Sequence, residues 1–238
     1  MGNRDQGSGI WGSGLGGLLG LGFLFGVTSL ALSAAPQASR TEQGLRITAR
    51  VYDYAHVPPG TLRQAEEEAT RIFHLARVEL EWLDCPTSVE EASKYPACEP
   101  SLGTMAVDLR ILPQSMASRL RSSREQLGFA LPSARPGRAS AAWVFYHRVE
   151  ELAEGKDASQ PQILGHAIAH EIGHLLVGPE GHSDHGIMRA NWGRRDLQEA
   201  GRGQLFFTTE QGERIRAEVR ARMDQPDAPQ VAASGALR

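Results

Sequence analysis

Five histidines fall between His166 and His185, and two of them frame a glutamate in the run His170-Glu171-Ile172-Gly173-His174. On a helix, side chains four apart share a face at a separation of about 6 Å, so both rings can turn a nitrogen to one metal ion. Glu171 stands beside them, where its carboxylate can reach a metal-bound water. That is the chemistry of a zinc hydrolase. His166 lies on the same face, but eight residues of helix separate it from His174 by about 12 Å, too far for one ion with bonds of about 2.1 Å. It is followed by Ala167 instead of a glutamate, and is expected to be packed or to support the ligands from behind.

These residues need a buried helix to hold them. Ser159-Gln160-Pro161-Gln162 has the form of a capping box with proline in the first turn, so the helix should begin there. Ile163, Leu164, Ala167, Ile168, Ile172, Leu175 and Leu176 make it apolar around most of its circumference, and Gly178-Pro179 should end it with a left-handed cap. Burying two imidazoles and a carboxylate without partners costs several kcal/mol. A metal ion removes that cost.

A third ligand has to come from the chain after Gly178, where His182 and His185 are the candidates. The run from His170 through His182-Ser183 to Gly186-Ile187-Met188 resembles the metzincin zinc peptidases, whose pattern is H-E-x-x-H-x-x-G-x-x-H followed by a methionine turn. In local motif it is most similar to the matrix metalloproteinase group, as is the upstream Gly128-Phe129-Ala130-Leu131-Pro132, which resembles that group's substrate-binding edge strand. The resemblance covers roughly residues 45 to 223. It implies a Zn2+ cofactor held by His170, His174 and His182, with Glu171 as general base and Met188 in the turn beneath the metal. The family spacing places its glycine at 177 and its third histidine at 180, where this chain has Val177 and Glu180. His182 is assigned on its serine and methionine context, with His185 and Glu180 as alternative third ligands. A second donor to the developing oxyanion is sought in Tyr146 or Arg189.

The elements ahead of the helix alternate. Leu45–Tyr54 reads as a strand by its period-two pattern, Pro58-Pro59-Gly60 breaks it, and Thr61 can cap a helix to about Ala76 with Glu66, Glu67 and Glu68 facing water. Val78–Leu83 and Met105–Leu112 read as second and third strands, Ser115–Arg121 as a short helix or irregular, Leu127–Leu131 as a short fourth strand and Ala141–Arg148 as a fifth. A β-α-β unit at the start implies parallel strands, and a short fourth strand bounded by proline suits a sheet edge. Gly128 and Pro132 there serve either to receive a peptide or merely to protect the edge. A short segment with possible helix over Asn191–Gly201 and a final helix from Thr208-Thr209 to about Met223 complete the domain. The expected class is α+β, a metzincin-like zincin fold. Its twisted, mostly parallel sheet has one antiparallel edge strand, with a crossover helix, an active-site helix and a C-terminal helix.

Composition narrows the function. The 238 residues carry a net charge of −3 and only 6% aromatics, which excludes an extended basic or base-stacking surface for nucleic acid. Residues 1–38 read as a signal peptide or a retained N-terminal membrane anchor, because no charge falls between Asp5 and Arg40 and Leu15–Leu32 is apolar. Residues 224–238 read as a disordered tail. In an exported protein Cys85 and Cys98 should form a disulfide around a loop with little reason to order itself; zinc-binding thiolates would require a second pair. The chain is therefore expected to be a monomeric, secreted or membrane-anchored zinc endopeptidase acting on peptide or protein. The alternatives are a zinc hydrolase with other substrates and a binding protein of the same fold.

Overall fold

The computed structural model of the chain describes residues 44–98, 105–120, 126–132, 140–178 and 180–224. The expected leader or anchor, most of the turn-rich link before the fifth strand, Pro179 and the expected tail beyond Asp224 lie outside the described residues. Among those described, no helix is long and apolar enough to cross a membrane.

Strands β1 (Arg46–Asp53), β2 (Glu79–Asp84), β3 (Ala106–Leu112), β4 (Gly128–Leu131) and β5 (Ser140–Phe145) form one sheet in the order β2-β1-β3-β5-β4. The first three and β5 run parallel, and β4 pairs antiparallel with β5 at the edge. Alternation along the strands sends Ile47, Ala49, Val51, Leu109, Ile111 and Val144 to one buried face. Helices α1 (Pro59–Leu75) and α5 (Gln160–Val177) cover that face. The mostly parallel sheet with one antiparallel edge strand is the architecture expected.

The opposite face ties the edge strand to the middle of the sheet. Tyr52, Arg110, Trp143 and Phe129 occupy one register row across β1, β3, β5 and β4. The Arg110 guanidinium lies 5.6 Å from the Tyr52 ring centre and 5.3 Å from that of Trp143, and Phe129 stacks on Trp143 at 4.5 Å. Beneath this row, Arg50 and Asp108 form an ion pair at 2.8 Å with both side chains buried.

Helix α1 begins at Pro59, earlier than the expected start at Thr61, because proline at the first helical position needs no N–H partner. Small residues let it cross α5 closely: a Cβ on Gly165 would lie 2.6 Å from the Ala65 carbonyl oxygen and 2.8 Å from Glu68 Cβ. Glu66 and Glu68 do not simply face water. Glu66 is half-buried with an unpartnered Oε1, and Glu68 bonds Arg71 and approaches His166 Nε2 at 3.5 Å. A second correction falls at β5, which stops at Phe145 and not Arg148. The chain turns there into α4 (Tyr146–Ala153), whose buried Tyr146 and Val149 share a helical face against α5.

Cys85 and Cys98 are joined in a disulfide. The loop they close is more ordered than expected, since Ser88 accepts the Glu91 N–H and starts a short helix, α2 (Val89–Ala92), and Pro96–Cys98 forms a 3-10 turn. A single turn, α3 (Gln114–Ala117), follows β3. Past the motif, α6 (Arg194–Gly201) and α7 (Thr209–Met223) pack on α5, and Thr208 caps α7 with Gln211 as the returning partner.

Candidate metal centre and substrate cleft

Helix α5 starts at the Ser159 capping box and is buried along nearly its whole length, so the positions of His170, Glu171 and His174 are fixed by the core. His170 Nδ1 donates to the Ile187 carbonyl at 2.7 Å, which leaves its Nε2 as a bare lone pair. That Nε2 lies 3.1 Å from His174 Nε2. Two nitrogens on a tetrahedral zinc with bonds of 2.0–2.1 Å would stand roughly 3.4 Å apart. Burial and the neighbouring His174 push His170 down to about 3, and burial and His182 push His174 down to about 4, so both rings are neutral at physiological pH, as metal ligands must be.

His182 closes the group. One ligand atom from each of His170, His174 and His182 falls within 4.8 Å of the others. The His182 ring centre is 4.6 Å from that of His174. His185 and Glu180 are exposed and outside this cluster, so the structure brings together His182 and neither alternative. The donor set fits a divalent metal of zinc type, since three imidazoles offer their ring nitrogens to one point beside a cleft.

The loop bearing His182 is held in place from α7. Helix α5 stops at Gly178, whose φ of 98° and ψ of 172° lie outside the expected left-handed cap but still in backbone space reserved for glycine. The Gly181 N–H donates to the Gly178 carbonyl at 3.0 Å. Gln211, buried in the first turn of α7, then clamps the loop by donating to the Gly181 carbonyl at 3.3 Å and to Ser183 Oγ at 2.9 Å. Arg214 and Arg222 cap the last carbonyls of α5 at Val177 and Leu175.

Met188, the residue expected in the methionine turn, packs against α5. It is fully buried, and a Cβ on Gly173 would come within 2.7 Å of its sulfur, so the thioether packs directly under the helix one position before His174. Trp192 donates to the same Ile187 carbonyl that holds His170, and its ring stands edge-on to His170 at 5.8 Å. His166 is buried one turn earlier, with Nδ1 against the Gln162 carbonyl at 2.7 Å, and is not part of the three-histidine group.

Glu171 opens into a cleft of about 250 Å³ that also exposes His170, His174 and His182. Burial pushes its carboxyl up to about 8, and its Oε2 has no hydrogen-bond partner among the described residues. One wall is β4: Gly128, Phe129 and Ala130 line the cleft, and a Cβ on Gly128 would lie 2.9 Å from Glu171 Cγ and Oε1. Leu131 is exposed at the strand's end. Tyr146 is not in the cleft; its hydroxyl bonds Gln160 at 3.4 Å, and burial raises its pKa. Arg189 does line the cleft, tied to Asp196. No local pattern announces the clamp by Gln211, which reads only as a cap, nor the parts played by Trp192 and Asp196.

No family model matches the chain, and no curated protein does. Among solved structures it is similar to an archaemetzincin from Methanopyrus kandleri, with a TM-score of 0.44 and 16% identity over 75% of this chain and 98% of that one. It is also similar to metalloproteinase-II from Bacteroides fragilis, with a TM-score of 0.42 and 14% identity over 73% of this chain and 53% of that one.

Proposed function

We propose that the chain is an exported zinc-dependent endopeptidase, with His170, His174 and His182 holding the metal and Glu171 as general base. The observation that carries this reading is the pairing in one cleft of three converging imidazoles with a buried carboxyl that has an unpartnered oxygen. Zinc bound there would supply a Lewis acid that acidifies water and polarises a carbonyl. With a bound metal's positive charge beside it favouring the ionised carboxylate, Glu171 Oε2 would take the proton of the attacking water and return it to the leaving amine nitrogen. Ile187 keeps His170 in the tautomer that presents Nε2, and Met188 sets the floor under the helix. Among the described residues no strand pairs with the outer edge of β4 beside the cleft, which offers an extended peptide a strand to pair with and favours a peptide over a compact small substrate.

The test is metal content and peptide hydrolysis side by side in the zinc-loaded protein. Glu171→Ala should keep one zinc per chain and lose hydrolysis by about 10²–10⁴-fold or more. His182→Ala should lose zinc and hydrolysis together. Undiminished hydrolysis in Glu171→Ala would overturn the assignment.

A further inference from the structure

Among the described residues that line the cleft, Arg189 is the sole lysine or arginine, and its geometry is that of a prepared receptor. Only one of its three nitrogens is committed: Nη1 reaches Asp196 Oδ1 at 3.3 Å and Oδ2 at 3.2 Å. Asp196 cannot follow a moving partner, since its side chain is buried and also accepts the Gly193 N–H at 2.7 Å at the start of α6. The Arg189 side chain itself is 45% exposed, and its Nε and Nη2 donate to nothing among the described residues. Those two nitrogens are the fork that matches a carboxylate.

An arginine tethered toward α6 is placed to hold a substrate group at the cleft wall, while Leu127, Ala130, Ala167 and Trp192, which line the same cleft, are apolar.

Resting on the peptidase reading, we propose that Arg189 is the receptor for a substrate carboxylate, and that the cleft selects peptides with an acidic side chain or a free C-terminal carboxylate near the scissile bond. Two charge-assisted hydrogen bonds predict a preference of about tenfold or more over the neutral analogue. The probes are acetylated, amidated Ala-Leu peptides with one Glu walked along the chain, the matching Gln set, and the neutral peptide with a free C-terminus.

Binding is read by calorimetry on zinc-loaded Glu171→Gln protein, and KM and kcat on the active enzyme. At one position Glu should bind about tenfold tighter than Gln and show a KM about tenfold lower, or the free C-terminus should do so relative to its amide, which tells the two carboxylate sources apart. Arg189→Gln should erase the preference and Arg189→Lys, which keeps the charge without the fork, should keep part of it, both melting close to the parent. Equal binding of acidic and neutral peptides, or a preference that survives in Arg189→Gln, overturns the proposal. A calorimetric preference with no cleavage of any peptide would sink the peptidase reading and leave the carboxylate site standing.

Discussion

Gly128 lies directly against Glu171: a Cβ at this edge-strand position would meet Glu171 Cγ and Oε1 at 2.9 Å and the Trp143 carbonyl oxygen at 2.1 Å. The strand and the candidate base are therefore packed as one unit, and even a methyl group has to move one of them. Gly128→Ala should lower kcat by at least about tenfold while zinc stays bound, with a stability loss of about 1–3 kcal/mol from overpacking. Zinc analysis, kinetics and a denaturant melt on the same sample check it. An unchanged kcat would show that Glu171 is not held by this contact.

Gln211 does two jobs with one amide, and the two can be separated. Its Oε1 takes the Thr208 N–H at 2.9 Å to complete the α7 cap, while its Nε2 holds the loop of His182. Thr208→Ala should cost about 1 kcal/mol of stability and leave zinc affinity intact. Gln211→Ala should cost a similar amount and also weaken zinc about 10–100-fold, as loss of an outer support for a ligand does. Competition with a zinc chelator distinguishes the pair, and equal affinities in the two variants would remove the clamp.

What could be read from the chain without coordinates follows from local physics. The capping box at Ser159, the apolar circumference of α5 and the spacing of His170 and His174 are properties of a single helix, and the strands before it are legible in their alternation, while their order in the sheet is not. The break at Phe145 was hidden because Ala141–Val144 has strong strand character and the helical face of α4 emerges only through Tyr146 and Val149. Bringing His182 to His170 and His174 depends on a turn at Gly178 and on a clamp at Gly181 from a helix 30 residues away in sequence, and no local pattern encodes either. Tyr146 failed as a cleft residue for the same reason as the strand boundary: once the chain turns into α4, its hydroxyl faces Gln160.

The disulfide should matter for stability and not for the metal. Cys85 follows β2 and Cys98 receives the Tyr52 hydroxyl on its carbonyl at 2.7 Å, on the sheet margin opposite β4. Cross-linking a loop of this length stabilises by roughly 3 kcal/mol through the unfolded chain. The double variant Cys85→Ser, Cys98→Ser is expected to unfold at correspondingly lower denaturant while binding zinc with parental affinity. A parallel loss of zinc affinity would mean that the loop supports the site.

Glu66 should make stability depend on pH, away from the cleft. Burial, reinforced by Asp84 and Glu67, pushes its carboxyl up to about 7 from an ordinary 4.5. Between those values the folded chain keeps a proton that the unfolded chain has released, so ionisation removes stability as pH rises from about 4.5 through 7 and the loss is complete above that. Glu66→Gln removes the titration. It should leave stability unchanged near pH 4 and raise it near pH 8 by about 1 kcal/mol, a figure discounted for the half of the side chain that solvent screens. Denaturant melts of parent and variant across this range test it, and parallel curves would show that Asp84 and burial do not hold the proton on Glu66.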